Sequence, residues 1–260
     1  MKEGGSAVEQ ELGKNYVGML RVVRFNWPLY MASVLAVLAL LLLAAQSIFA
    51  GGVRAVFLLS SILVLLQTLI SLLASHWVYD RSALRDWRFL LELLNEQDSL
   101  CIVNVHSGYD ETSGALRQLF ANADIATVDL YPALGRREPS IVRARKLYPP
   151  VAKSICETIS DWPLTDSSVD FILIAFAAHE VRDPEQRKLL FQQARRVLKP
   201  TGRIVLVEHV RDFSNFVAFS LGFLHFLPLA EWISCANMSN LKIAKQYRIT
   251  PLVAVLELCP

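Results

Sequence analysis

Apolar residues dominate two stretches near the start of the chain and then fall into short, separated runs. No charged side chain stands between Asn26 and Val53, nor between Ala55 and Tyr79. About 20 apolar residues in a helix cross a bilayer core. Both stretches reach that length, the first over about Pro28–Phe49 and the second over about Val56–Ala74. Gly51, Gly52 and Arg54 lie between them, so an antiparallel helical hairpin is expected over residues 28–50 and 54–76. A cleaved signal peptide is disfavoured, because its apolar region is about 7–15 residues long and no second span follows it. The flanks set an orientation. Lys14, Arg21 and Arg24 precede the first span and Arg81, Arg85 and Arg88 follow the second, while the tip holds only Arg54. Positive charge favours the cytoplasmic side, so both ends are expected there. Trp27, Tyr30, Trp77 and Tyr79 would form an aromatic belt on that face. Tyr16–Phe25 mixes apolar residues with two arginines. It reads as an interfacial helix or as an extension of the first span.

From Asp80 the pattern changes. Leu84, Trp87, Leu90, Leu91 and Leu94 recur at helical spacing and predict a linking helix over Arg81–Leu94. Strand-like and helix-like segments then alternate. Strands are expected at Leu100–Val105, Ile125–Leu130, Val169–Phe176 and Arg203–Glu208, and helices at Thr112–Ala121, Ser140–Tyr148 and Pro184–Leu198. Ile249–Leu258 is strand-like and should complete the sheet, with residues around Leu241–Ala244. Such alternation predicts a doubly wound α/β sheet. Three segments result: residues 1–79 with the interfacial stretch and two transmembrane helices, a linker at 80–94, and an α/β domain at 95–260. Ligands of such sheets bind outside the strand C-terminal ends. The positions of interest are therefore Asn104–Glu111, Asp129-Leu130, Ala177–Glu180 and Glu208–Asp212.

Composition supports this division. The chain is 53% hydrophobic and only 19% charged, against about 25% charged in soluble domains. Net charge is 26 − 24 = +2, so no nucleic-acid footprint is implied. The excess is local, with 8 Lys/Arg against 5 Asp/Glu in residues 1–89 and 18 against 19 thereafter. The 4 cysteines are scattered, which excludes a CxxC motif and argues against a disulfide-stapled fold. Nothing in the sequence sets the oligomeric state.

One stretch carries a more specific pattern. Asp166-Ser167-Ser168-Val169-Asp170 leads into an apolar run, Ala177-Ala178-His179-Glu180-Val181 follows it, and Arg196-Val197-Leu198-Lys199-Pro200-Thr201-Gly202 turns into the next. In this order the segments resemble the class I S-adenosylmethionine (SAM) dependent methyltransferases, of type 11-like kind, over about Leu94–His209. The resemblance implies a Rossmann-like doubly wound sheet and SAM as cofactor. It places the cofactor loop at Asn104-Val105-His106-Ser107-Gly108-Tyr109-Asp110, where the family has a glycine-rich turn and this chain keeps one glycine. It places Asp129, with Leu130 beside it, at the ribose. Ser160 or Asp161, followed by Trp162, falls at the adenine, where Trp162 either stacks or packs in the core. Ala177 opens the loop lining the methyl-donor channel.

Methyl transfer is in-line attack on a sulfonium methyl, and much of its catalysis is orientation. A base is needed only where the acceptor must lose a proton. His179, Glu180, Glu208 and His209 stand at strand ends, with His209 the preferred base and His179 and Glu180 beside it. No HxH, CxxC or HExxH spacing supports a metal site, so none is expected. Phe213–Ile233, charge-free until Glu231, reads as an apolar helix and loop that covers the acceptor pocket and faces the bilayer. The function expected is a membrane-anchored methyltransferase acting on a hydrophobic or membrane-resident small molecule, with the lipid bilayer as its surroundings. A prokaryotic inner membrane fits the two short spans. The alternative is a degenerate, cofactor-free methyltransferase fold serving as a membrane interaction protein.

Overall fold

The computed structural model describes residues 7–94, 100–149 and 158–260. The expected domain start at residue 95 lies outside the described residues. The chain forms two compact units, one comprising residues up to Arg85 together with Phe216–Leu221, the other Asp86–Asn215 with Gly222–Pro260.

The first unit is built on α1 (Ala7–Phe25), α2 (Trp27–Ala45) and α3 (Gly51–His76), which runs into a π-helical turn at Trp77–Arg81. Asn26 leaves helical geometry (φ −112°, ψ 20°) and separates α1 from α2. Pro28 sits in the first turn of α2, where its missing N–H leaves no bond unmade. At 1.5 Å per residue α2 and α3 are about 28 and 39 Å long, so each matches or exceeds a bilayer core of about 30 Å. The loop between them is short, and α2 and α3 pack on each other. Arg54 Nε donates to the carbonyl of Ala44 at 2.8 Å, satisfying one of the acceptors a helix end leaves open. The outward faces are almost wholly apolar and exposed, as at Leu29, Leu42 and Leu63.

Asp80 fastens α1 to the end of α3. Its carboxylate accepts the backbone N–H groups of Gly18 (2.6 Å) and Met19 (3.0 Å), and His76 Nδ1 lies 3.1 Å from it. Tyr16 stacks on His76 with centroids 4.6 Å apart. The approach requires glycine: a Cβ on Gly18 would stand 2.3 Å from Tyr79 Cβ.

The continuous helix expected over Arg81–Leu94 does not form. Ser82 Oγ donates to the Val78 carbonyl at 2.6 Å and accepts the Leu84 N–H at 3.1 Å, which ends the helical run. Trp87 adopts left-handed backbone (φ 58°), and a 3₁₀ turn covers Arg88–Glu92. The apolar spacing that suggests an α-helix is met here by tight turns, whose side chains also recur about every third residue.

The second unit contains one six-stranded sheet. Its strands are β1 (Cys101–His106), β2 (Asp124–Asp129), β3 (Val169–Ala175), β4 (Leu198–His209), β5 (Lys242–Thr250) and β6 (Val253–Cys259), in the order β2-β1-β3-β4-β6-β5. The first four are parallel, and β6 runs antiparallel to both β4 and β5. The strand expected at Ile249–Leu258 is thus two strands of a hairpin. Pro251 and Leu252 form the turn, where Pro251 has no N–H to give a ladder and Thr250 Oγ1 accepts the Leu252 N–H at 3.2 Å.

Helices α4 (Ser113–Leu119), α5 (Pro139–Leu147), α6 (Pro184–Val197), α7 (Phe213–Phe219) and α8 (Leu229–Met238) complete the α-helices of the described residues. α6 begins where Asp183 accepts the Glu185 N–H and Pro184 takes the first turn, a strong start signal. Its buried face, Leu190, Phe191 and Ala194, joins Ile172, Ile174 and Trp232 in one core. The Asp170 and Lys199 of the sequence motifs meet directly. Lys199 Nζ donates to Asp170 at 2.8 and 2.9 Å, and the same carboxylate accepts the Cys101 N–H at 2.9 Å. This fixes the N-terminal ends of β1, β3 and β4 and aligns their C-terminal ends.

Candidate active site

Two groups of polar side chains gather at those C-terminal ends. The first spans β1, β2 and the loop into α4. In the parallel register His106 lies opposite Asp129, and both are buried. Asp129 accepts the Tyr131 N–H at 3.0 Å and pairs with Arg145 at 2.5 Å. Leu130, fully buried, packs beneath. Asn104 is buried in β1: its amide donates to Asp110 (3.1 Å) and Ser113 (2.9 Å), and its carbonyl accepts from Thr112 at 2.7 Å. Asp110 also accepts the N–H groups of Thr112 and Ser113 at 3.2 and 2.9 Å. The acidic residue standing where the family has glycine therefore holds the turn that leads into α4. Ser107 is buried, and the Tyr109 ring lies 5.3 Å from Tyr148. Gly108 has φ +103°, and a Cβ there would meet Tyr131 Cδ2 at 2.6 Å, so glycine is required on two counts.

This group fits a ribose-bearing cofactor. The turn keeps the one glycine its backbone needs, and an aspartate ends β2. Among the described residues His106 Nε2 is buried without a hydrogen-bond partner, an expensive state for a polar atom that a bound ligand would relieve. Burial pushes the His106 pKa down, against the pull of Asp129. Of the residues expected near adenine, Ser160 and Asp161 are exposed, with Asp161 bridging to Thr158, whereas Trp162 is buried in the core. Arg196 holds that segment by donating to the carbonyls of Trp162 (2.7 Å) and Leu164 (2.8 Å).

The second group spans the ends of β3 and β4. Ala177 is buried and opens a 3₁₀ turn over Ala178–Glu180. That turn brings His179 against Glu208: its N–H lies 3.2 Å from one carboxylate oxygen and Nδ1 2.6 Å from the other. His179 Nε2 is 3.2 Å from Glu180 Oε1. The two carboxylates outweigh burial and raise the His179 pKa to about 10, while His179 and His225 hold Glu180 well below the usual carboxylate range. His209 is also buried. Its Nδ1 donates to the Leu252 carbonyl at 2.9 Å and its ring stacks on Phe226 at 4.8 Å. Burial, reinforced by His179, lowers its pKa to about 4, so it is uncharged at neutral pH.

His225 is the member that sequence reasoning missed. Its Nε2 lies 3.1 Å from Glu180 Oε1 and its Nδ1 3.4 Å from Glu138. No spacing could reveal it, because the chain between Glu180 and His225 includes a strand and two helices. Two arginines, each followed by an aspartate in the sequence, hold its loop. Arg182 donates to the His225 carbonyl at 2.6 Å, and Arg211 donates to those of Leu224 and Phe226 at 2.8 Å each.

Residues 103–206 match the model of a family described as a methyltransferase domain. The chain carries a class I SAM-dependent methyltransferase domain. Solved structures similar to it include a SAM-dependent methyltransferase from Aquifex aeolicus, 15% identical with TM-score 0.48, covering 74% of this chain and 97% of that one. A type 11 methyltransferase from Sulfolobus solfataricus is 17% identical with TM-score 0.44, over 66% and 88% of the two chains. An O-methyltransferase family 2 protein from Planctomyces limnophilus, solved with apigenin, is 14% identical with TM-score 0.49, over 75% and 61%. No curated protein matches the sequence. In the methyltransferase domain, Asp129 would hold the ribose, the backbone at Ser107 and Gly108 the amino-acid end, and His106 Nε2 an adjoining polar group. Bound SAM supplies an electrophilic methyl on a sulfonium. The groups at the ends of β3 and β4 would then position the acceptor and take its proton where one must leave.

Proposed function

We propose that this methyltransferase is anchored in a lipid bilayer and methylates a hydrophobic or membrane-resident small molecule. The observation that carries the reading is the course of the chain after β4. Within a few residues of His209 it enters α7, where Phe213 is 77% exposed, and Leu221 beyond it is 73% exposed. Phe216–Leu221 belongs to the compact unit of the long apolar helices, and Gln67 Nε2 donates to the carbonyls of Val217 and Ala218 at 3.3 Å each. The segment leaving the acceptor-side strand is thus built into the proposed anchor. Two helices, Trp27–Ala45 and Gly51–Arg81, are long and apolar enough to cross a membrane, and only 11% and 6% of their most apolar windows are buried. Exposed apolar surface on this scale is a membrane or partner surface rather than a solvated one. The basic flanks support a cytoplasmic side for both termini and the methyltransferase domain, and the two short spans fit a prokaryotic inner membrane.

In this reading His209 is the base. Its Nδ1–H···O bond to Leu252 fixes the tautomer, which leaves the lone pair on Nε2. Reconstitution tests the anchor. The full chain should float with vesicles after an alkaline wash, and release by that wash would refute integral insertion. An acceptor made in prenylated and water-soluble forms with the same reactive group tests the substrate class. The prenylated form should show the higher kcat/KM in vesicles, and equal values would refute delivery from the bilayer.

A further inference from the structure

We propose that His179 Nε2, a Glu180 carboxylate oxygen and His225 Nε2 form a three-ligand site for a zinc-class divalent cation. One ligand atom from each of the three residues lies within 4.8 Å of those of the other two. Glu180 Oε1 stands 3.2 Å from His179 Nε2 and 3.1 Å from His225 Nε2. In a tetrahedral site with bonds of about 2.0–2.1 Å, neighbouring ligand atoms are about 3.3 Å apart, so these two separations are close to the edges of such a tetrahedron. The imidazole planes cross at 85°, which keeps the rings from stacking and lets both nitrogens face one point.

The surrounding groups follow the same logic. Metal-binding histidines usually donate their second ring N–H to a carboxylate. Here Glu208 is 2.6 Å from His179 Nδ1 and Glu138 is 3.4 Å from His225 Nδ1. Arg182 Nη2 lies against both ring nitrogens of His225, 2.8 Å from Nε2, and must turn away from the ring when the ion binds and Nδ1–H turns to Glu138. Its bond to the His225 carbonyl can persist. Two imidazoles and one carboxylate favour zinc and its first-row neighbours over magnesium or calcium.

Three protein ligands leave a fourth position open, as in catalytic zinc sites. That position would take a thiol or hydroxyl acceptor as its anion. The acceptor's proton passes to His209, the bond from the acceptor's sulfur or oxygen to the methyl carbon forms, and the methyl carbon–sulfonium bond breaks to release a neutral thioether. This role rests on the methyl-transfer reading; the metal site does not.

The test uses the full chain in detergent, stripped with chelator and titrated with Co²⁺. Visible absorption of a low-symmetry Co²⁺ site should saturate at one equivalent per chain and be bleached by Zn²⁺. His225→Ala, on a partly exposed loop, should weaken binding by about 100-fold or more, and Glu208→Gln by about 10–100-fold, with unchanged circular dichroism. Absence of a saturable Co²⁺ spectrum in folded wild-type protein would overturn the site, as would an unaltered affinity in His225→Ala. SAM affinity measured on the same samples separates the two readings. Metal binding without SAM binding refutes the methyl-transfer role and leaves the site standing. SAM binding without metal binding does the reverse.

Discussion

Asp129→Asn isolates the charge at the end of β2 while preserving shape. The carboxylate is buried, accepts the Tyr131 N–H at 3.0 Å and pairs with Arg145 at 2.5 Å. Each oxygen still has lone-pair capacity for a ribose hydroxyl. A hydrogen bond to a charged acceptor contributes about 1.5–3 kcal/mol. Two ribose bonds to one carboxylate share that charge and do not add fully, so the loss expected is about 1.5–3 kcal/mol, or a Kd for SAM raised about 10–150-fold. The second effect is on Arg145. Its side chain is 23% exposed and can turn toward water, so the cost in stability should be about 1 kcal/mol. Calorimetric titration with SAM, run beside a thermal melt, measures both. Arg145→Gln is the control: it removes the ion pair and keeps the carboxylate, so SAM affinity should fall by much less. A Kd for Asp129→Asn within twofold of wild type, with a melt confirming the fold, would refute the ribose assignment. Equal losses in the two variants would show that Asp129 acts through Arg145.

Three further outcomes are expected. Gly108→Ala forces a side chain into left-handed backbone and against Tyr131; it should lower stability by about 1–3 kcal/mol in a denaturant titration and weaken SAM binding, and a neutral effect would mean the loop has other conformations. Gly18→Ala places a Cβ 2.3 Å from Tyr79 Cβ and should loosen α1 from α3, seen as faster proteolysis within residues 7–25; unchanged protection would refute that packing. His209, with its pKa lowered to about 4 from about 6.5 when unfolded, contributes its full stability above pH 6.5. That contribution declines as pH falls toward 4, because the unfolded chain takes up the proton first, and about 3 kcal/mol is at stake. Unfolding curves at stepped pH should show His209→Asn flattening this decline, and an identical pH profile in the variant would refute the buried neutral histidine.

Much of the fold was legible in the sequence because the relevant signals are local. Two charge-free runs can only be long apolar helices, and a hairpin follows from the short turn between them. Alternating apolar runs and amphipathic stretches give a parallel sheet, since helix and strand periods reflect backbone geometry over a few residues. Asp129 could be found because a strand end is a local feature. Other outcomes required the tertiary structure. The apolar spacing of Leu84, Trp87 and Leu90 is common to an α-helix and a series of tight turns, and Ser82 and Trp87 decide for the turns. Ile249–Leu258 reads as one strand until Pro251 and Leu252 are seen to fold it into a hairpin. The grouping of Glu138, His179, Glu180, Glu208 and His225 has no sequence signature. Their convergence depends on strand order, on the register that Asp170 and Lys199 help to set, and on the arginines that hold the loop at His225. Periodicity determines which face of an element is buried; the packing of distant elements determines which polar side chains meet.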